Sequence, residues 1–164
     1  MKIALTSIQP PHTDNIFSGK KRIEWRKTLL PLGIHHIYET KRNNGAGMVV
    51  GSMEIVRHYS FNSVSEIPDY MIEAGCVPRS FLKSYAGKKK LYANIIINAK
   101  KFDGPKLICE YNNYHKVENC NKCGMWQTPP YPCNNCPKNS IVIKPPQSFM
   151  YVEENEYKLY IDLW

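Results

Sequence analysis

Two close pairs of cysteines constrain this chain more than any other feature of its sequence. The pairs are Cys120-x2-Cys123 and Cys133-x2-Cys136, with nine residues between them. Two residues between cysteines let both thiolates reach one ion, and two such pairs complete the tetrahedron that zinc prefers, at about 2.3 Å per sulfur. Soft thiolate ligands favour zinc or iron over calcium or magnesium. We predict a structural Zn²⁺ ion here, because four thiolates leave no open position for water.

The segment around these cysteines, residues 111–139, reads as an insert with its own source of order. It is rich in proline and asparagine, and its apolar residues have no regular period. Metal binding would therefore supply most of its folding free energy. A rubredoxin-like iron site and two disulfides are the alternatives, and disulfides need an oxidising compartment for which the sequence has no convincing signal peptide. Cys76 and Cys109 stand alone and are predicted to be buried core thiols.

The remaining sequence predicts a mixed α+β domain that spans residues 1–164 and contains the insert. A chain of 164 residues with 43% hydrophobic content suits one domain with one core. Alternation of apolar residues predicts strands in MKIALTSI, RIEWRK, HHIYETKR, MVVGSMEIVRHYSF, LYANIIINAKKF, SIVIKPPQSFMYVEE and YKLYIDLW. Gly51, inside the fourth of these, predicts a bulge or a close approach. Helices are predicted in HTDNIFSGKK, ending at Gly19, and as two pieces within residues 63–86, separated by Gly75 and Pro78. The sum is a curved sheet or small barrel with flanking helices.

Charge and hydropathy indicate what the chain interacts with. It has 22 Lys and Arg against 14 Asp and Glu, a net charge of +8. Such an excess favours an anionic partner, most commonly nucleic acid, although a solvated basic surface is the alternative. No stretch approaches the roughly 20 apolar residues of a membrane span. We therefore expect no membrane association and a cytoplasmic location.

A second motif, SGKKRIEWR, places basic and acidic residues at a turn between a helix and a strand. Gly19 ends the helix, and Lys21, Glu24 and Arg26 lie on or beside the first residues of the strand. Glu24 and Arg26 are two residues apart and so share one face. Together the three side chains can hold a phosphate and hydrogen-bond a base or sugar. An exposed ion-pair cluster is the alternative, and local chemistry alone favours it.

The order Gly19, Lys21, Glu24, Arg26 resembles the G-x-K-x-x-E-x-R motif of the ASCH domain, a branch of the PUA-like superfamily. The opening MKIALTSIQPPHTDNIFSGKK, the pair HIYETKR and GMVVGSMEI, and the late KPPQSFMYVEE agree with it, so the resemblance covers about residues 1–102 and 142–154. The cysteine insert departs from the minimal pattern. The resemblance implies a PUA-like small mixed β-barrel with flanking helices, carrying a zinc-ribbon insert, and a cleft at the motif turn. In the superfamily such clefts bind RNA or modified bases.

The first functional hypothesis is an RNA- or modified-nucleotide-binding module. Lys21 and Arg26 would contact phosphate, and Glu24 would accept hydrogen bonds from a base or ribose. Lys20 would strengthen the positive field, and Tyr38 is a candidate for an exposed ring on which a base stacks.

The second hypothesis is an enzyme that acts on nucleosides or RNA, either an amidohydrolase or a ribonuclease, with Lys21 and Glu24 as the reacting pair. One ASCH branch is similar to amidohydrolases that remove an acyl group from acetylated cytidine. That branch pairs a lysine with a threonine hydroxyl in this turn and uses a glutamate from the helical region. Lys21 matches the lysine, Glu24 stands in place of the threonine, and Glu73 is a weak match for the glutamate. A third hypothesis is an adaptor that contacts a protein partner through the zinc insert.

Other aromatic and imidazole groups are assigned mainly to packing. Trp25 alternates to the face opposite Glu24 and is expected in the core, whereas Trp126 is a second candidate for exposed stacking. The histidines are expected to be surface or core residues without a catalytic role: His12, His35, His36, His58 and His115.

Overall fold

The computed structural model describes residues 3–106 and 146–152. Several predictions made above fall outside these residues and stay predictions: the four-cysteine zinc site, the insert at 111–139, Cys109, His115, Trp126 and the strand YKLYIDLW.

A single six-stranded sheet is the frame of the described chain. Its strands are β1 (Ile3–Ile8), β2 (Ile23–Arg26), β3 (Gly33–Glu39), β4 (Val49–Phe61), β5 (Leu91–Lys106) and β6 (Phe149–Val152). They lie in the order β2-β5-β4-β3-β1-β6. β1 and β3 are parallel, and the other neighbouring strands are antiparallel. Three short helices complete the set: α1 (His12–Phe17), α2 (Asp69–Ala74) and α3 (Arg79–Ala86).

The sheet is not closed, so the predicted small barrel is not confirmed over the described residues. β2 and β6 are its edge strands, with three strands between β2 and β1. Side chains nevertheless connect the two ends of the sheet. Arg26 on β2 donates from Nη2 to the main-chain oxygen of Ser7 on β1 at 2.6 Å, and the hydroxyls of Thr28 and Ser148 are 3.1 Å apart. Strong curvature is required for these contacts, and it brings the motif strand against β1.

A close approach at Gly51, predicted from the sequence, is confirmed. The register between β4 and β5 shifts between Val49 and Gly51. A Cβ on Gly51 would lie 2.4 Å from the main-chain oxygen of Lys100 and 2.6 Å from the ring of Phe17. Glycine therefore lets α1 pack directly on the sheet.

The helical region between residues 63 and 86 is confirmed as two helices. Ser63 accepts a hydrogen bond from the backbone N–H of Ser65 at 3.3 Å and begins a short 3-10 turn. Pro68 and Pro78 each directly precede a helix, and Gly75 follows α2. Met71 of α2 is buried, whereas Tyr70 is 70% exposed.

Three buried clusters form the core. The first packs α2 and α3 against β2 and β5 around Trp25 and Leu82, which confirms a core position for Trp25. The second packs α1 through Ile16 on the middle strands. The third joins β1, β3 and β6 and contains Tyr38. None of the helices within residues 3–106 and 146–152 is both long and apolar enough to cross a membrane. A cytoplasmic location stays a prediction.

Candidate functional site

Glu24, on β2, is the centre of a buried charged cluster. Its Oε1 accepts a hydrogen bond from Nε of Arg26 at 2.8 Å, and its Oε2 lies 3.3 Å from Nζ of Lys21. Glu24 and Arg26 thus share one face, as the spacing predicted. The cluster is not the exposed ion-pair network that local chemistry favoured, since Lys21 is 2% exposed and Glu24 is 7% exposed. Charges are buried in this way only when they are paired.

The turn after α1 delivers Lys21 into the interior. Gly19 has φ +75°, which reverses the chain after the helix. The backbone N–H of Lys21 then donates to the carbonyl of Asn15 at 2.8 Å, and that of Arg22 donates to the carbonyl of Ala74 at 2.8 Å. These bonds fix the motif between α1 and α2. Lys20 is exposed, which is consistent with its predicted role of strengthening the positive field around the site.

Lys21 and Arg26 each use only part of their hydrogen-bonding capacity. Nζ of Lys21 donates to the main-chain oxygen of Gly75 at 2.6 Å and faces Glu24, which leaves one of its three protons without a partner among the described residues. Arg26 uses Nε and Nη2, and its Nη1 has no partner in the part of the chain that the structure describes. With one carboxylate against two cations, the cluster has a net charge of +1 at neutral pH. It therefore offers spare donors and a net positive field to a ligand.

Two polar atoms next to this cluster are buried without a partner among the described residues. They are Oγ of Ser7, whose main-chain oxygen binds Arg26, and Nδ1 of His12. Most buried polar atoms in folded proteins are hydrogen-bonded to protein or to water, so these two atoms have capacity left for a water molecule or a ligand. Sequence reasoning assigned His12 to packing and did not consider Ser7. Neither residue has a periodic or motif signal, and only the fold brings them to the motif.

The charges of the cluster set two ionisation states. Burial alone would raise the pKa of the Glu24 carboxyl, but Lys21 and Arg26 outweigh burial and hold the pKa below its ordinary 4.5. Burial, together with the charge of Lys21, lowers the pKa of His12 below 6.5, although Glu24 acts in the opposite direction. At neutral pH, Glu24 is therefore ionised, and His12 is neutral and can either accept or donate a proton.

Two predicted site residues lie elsewhere. Tyr38 is 6% exposed within the third core cluster, so its predicted role as an exposed stacking ring is wrong, because β3 turns this side chain inward. Burial also raises the pKa of its hydroxyl. Glu73 is exposed on α2, and the structure does not pair it with Lys21, which bonds instead to the backbone just beyond it. Cys76, predicted to be buried, is partly exposed.

His35 and His36 are buried, as expected of core residues. His35 binds the hydroxyl of Thr6 through Nδ1 at 2.7 Å and the main-chain oxygen of Pro31 through Nε2 at 2.8 Å. The carbonyl can only accept, so Nε2 carries the proton and Nδ1 accepts from Thr6. Within residues 3–106 and 146–152, no three histidine, cysteine or acidic side chains are grouped as a metal site would require.

Comparison with known proteins identifies the fold. No family model matches the sequence, and no curated protein matches it. The structure is similar to the crystal structure of ASCH from Zymomonas mobilis, with a TM-score of 0.63 and 18% identity over 92% of this chain and 87% of that one. A tyrosine-to-phenylalanine mutant of that protein gives a TM-score of 0.62 at 18% identity, covering 93% and 91% of the two chains. A serine-to-alanine mutant gives 0.62 at 17%, covering 92% and 88%. At this identity the likeness shows the fold alone, and this chain shares the fold of the Zymomonas ASCH protein.

Proposed function

We propose that the chain is an RNA- or modified-nucleotide-binding module whose site is the cluster of Lys21, Glu24 and Arg26. The observation that carries this proposal is a buried cluster with a net positive charge that keeps unused donors. A merely structural ion pair would be expected to satisfy its buried groups. Here Lys21 and Arg26 have N–H groups without a partner among the described residues, and Ser7 and His12 add two buried polar atoms that also have none there.

The residues of the cluster have different roles in ligand recognition. Arg26 has 13% of its side chain exposed against 2% for Lys21, so Arg26 meets a ligand first, and Lys21 lies at the base of the site. Each oxygen of Glu24 already faces one of the two cations. Its main role is then to position Lys21 and Arg26, and its remaining lone pairs accept from a base or ribose. Ser7 and His12 supply hydrogen bonds that discriminate between bases.

Two features support RNA or a nucleotide as the ligand class. The ASCH fold, shared with the Zymomonas protein, is one of a superfamily associated with RNA and modified bases, and the net charge of +8 suits a polyanion. The predicted zinc ribbon at Cys120, Cys123, Cys133 and Cys136 belongs to the proposal as a structural element. It would also provide a surface for a protein partner.

The binding proposal is tested by titrating short single-stranded RNAs and free modified nucleosides at several salt concentrations. RNA affinity should fall steeply as salt rises, because cations condensed on the phosphates are released on binding. Ser7→Ala and His12→Ala should weaken the preference among bases more than the overall affinity. An affinity that ignores salt, or no binding at low salt, would refute the proposal.

A second candidate function is catalysis on nucleosides or RNA, and one contact favours it. Lys21 lies 3.3 Å from Glu24, and both side chains are buried. Neutral His12 beside them has the protonation state of a general base. In this version His12 removes a proton from the attacking hydroxyl or water, and Lys21 stabilises the developing negative charge. Turnover of a modified nucleoside or short RNA by the wild type, lost in His12→Gln with binding retained, would establish an enzyme. Binding without turnover across the screen would exclude this version.

A further inference from the structure

We propose that Phe81, Tyr85 and Lys27 form a second contact for RNA, a platform on which one unpaired base stacks beside the motif cluster. The inference rests on the proposed function for its class of ligand, and it adds a surface that lies apart from Lys21 and Glu24. None of the motif residues Gly19, Lys21, Glu24 and Arg26 belongs to it.

The geometry of the two rings is the first observation. Phe81 and Tyr85 lie one turn apart on α3, with ring centroids 6.0 Å apart and an angle of 6° between the planes. Tyr85 packs against the first core cluster, which fixes its ring, whereas Phe81 is 49% exposed. Stacking on the fixed Tyr85 ring orients the Phe81 ring, while much of the surface of Phe81 faces solvent. A base can stack on such a ring whatever its sequence, because every base has a π face.

The position of a cation beside the rings is the second observation. Nζ of Lys27 lies 4.5 Å from the centroid of the Tyr85 ring. Within the described residues Lys27 has no carboxylate partner, so its charge is available to a phosphate that flanks the stacked base. Aromatic rings combined with an adjacent cation are the usual means of binding single-stranded nucleic acid. Charge complementarity with a chain of net charge +8 supports the same occupant.

The link to the motif cluster is the third observation. Lys27 directly follows Arg26, so the platform begins where β2 ends. Successive side chains on a strand alternate between its faces, so a single strand that contacts both Arg26 and Lys27 would pass around the end of β2, which is an edge strand. The two contacts would act on one ligand, and the platform would favour unpaired over duplex RNA, since bases in a duplex are already stacked.

The test measures binding of a labelled single-stranded RNA, the matching duplex and a single strand with abasic positions, by fluorescence anisotropy. Phe81→Ala should weaken single-strand binding about 5- to 150-fold, the range for one base stacked on an aromatic ring. It should leave duplex binding unchanged. Phe81→Leu should lose most of the same affinity without changing the salt dependence, because it keeps apolar bulk but removes the ring. Lys27→Ala should reduce the salt dependence by about one phosphate contact.

Tyr70→Ala is the matched control, because Tyr70 is an aromatic residue on a neighbouring helix and is 70% exposed. It should bind single strands like the wild type. Abasic positions should weaken the wild type but not Phe81→Ala, which assigns the loss to a base. If the wild type binds RNA and Arg26→Lys weakens it while Phe81→Ala matches Tyr70→Ala, the platform is wrong and the proposed function stands. Equal losses for duplex and single strand would also overturn the platform. If the wild type binds none of these RNAs at low salt, the proposed function fails as well.

Discussion

Lys21 donates from Nζ to the main-chain oxygen of Gly75 at 2.6 Å, across 54 positions of sequence. The same glycine lies against the indole of Trp25, where an added Cβ would be 2.1 Å from Nε1 and 2.6 Å from Cδ1. One residue after α2 therefore supports both faces of β2. It fixes a cation of the candidate site on one face and a core ring on the other.

Gly75→Ala should therefore destabilise the fold through overpacking against Trp25, by about 1–3 kcal/mol or more. It should also weaken RNA binding, because the carbonyl that fixes Lys21 must move with the backbone. Urea unfolding and RNA titration of the same variant measure the two effects. Gly104→Ala is the control, since a Cβ there meets nothing within 4 Å. A Gly75→Ala protein as stable as Gly104→Ala would contradict the described packing of Trp25.

Removal of the Glu24 carboxylate should be costly, because it leaves Lys21 and Arg26 buried without a counter-charge. Glu24→Ala should lower the free energy of unfolding by about 3–5 kcal/mol, the usual cost of breaking a buried pair from one side. Glu24→Gln should cost less, since its amide oxygen still accepts from one cation. Glu73→Ala, at an exposed position, should stay within about 0.5 kcal/mol of the wild type. Urea unfolding of the three variants decides whether the cluster is as tightly coupled as its distances indicate.

Short-range signals in the sequence were enough to predict the elements, but not how the site is assembled. The spacing of Glu24 and Arg26 predicted a shared face, because residues two apart on a strand lie on the same side. A glycine inside a strand pattern, at position 51, predicted a close approach. Burial of Lys21 depends on Gly75, and the unpartnered Ser7 and His12 depend on the curvature that brings β1 to β2. Such long-range contacts do not produce a periodic pattern in the sequence.

The wrong prediction for Tyr38 and the unconfirmed prediction of a barrel have similar causes. The strand β3 that contains Tyr38 was predicted correctly. Which face of the sheet meets solvent is set by the helices and by β6, and the sequence alone did not place these elements relative to β3. Whether a curved sheet closes depends on its accumulated twist and stagger, which are properties of all six strands together.

Acidification should destabilise the fold already between about pH 7 and pH 5, through buried histidines. Burial lowers the pKa of His35 below 6.5, against the opposing effect of its bond to Pro31, and His12 is shifted in the same direction. The unfolded chain therefore binds more protons below pH 6.5, so stability falls as the pH is lowered through 6.5 toward the folded pKa. The contribution of Glu24 to stability changes at a lower pH. It is complete above pH 4.5 and is lost only as the pH falls through the depressed pKa of that carboxyl.

The measurement is urea unfolding of the wild type and His35→Gln at about pH 7, 6 and 5. His35→Gln should show a smaller loss of stability across this range, because the group that gains the proton is gone. Identical pH dependence in the two proteins would show that His35 does not contribute.

Elemental analysis should find about one zinc ion per chain, held by the two Cys-x2-Cys pairs. Cys133→Ser should lose the metal, whereas Cys76→Ser should retain it, because Cys76 is not part of the paired spacing. Iron would be recognised by its visible absorbance, and two disulfides by a thiol count of two in place of six under denaturing conditions. A metal-free protein with an ordered insert would refute the zinc site.

Arg26→Lys should separate recognition from charge. The planar guanidinium of Arg26 donates from Nε to Glu24 and from Nη2 to the main-chain oxygen of Ser7, and its Nη1 has no partner among the described residues. Lysine keeps the positive charge but cannot make this set of contacts. If Nη1 binds the ligand, RNA affinity should fall roughly 10- to 100-fold, the equivalent of one hydrogen bond between charged groups. The salt dependence should change little, because the number of cations is the same.

The control for this substitution is Arg57→Lys, at an exposed position on β4. Within the described part of the chain, its guanidinium bonds only to the hydroxyl of Tyr59, at 3.3 Å. It makes the same chemical change outside the cluster and should bind RNA like the wild type. Melting curves of both variants must accompany the titrations, since Arg26 also bridges β2 to β1. If Arg26→Lys loses stability but binds as Arg57→Lys does, the cluster is a structural clamp between the two strands, and the ligand binds elsewhere on the sheet.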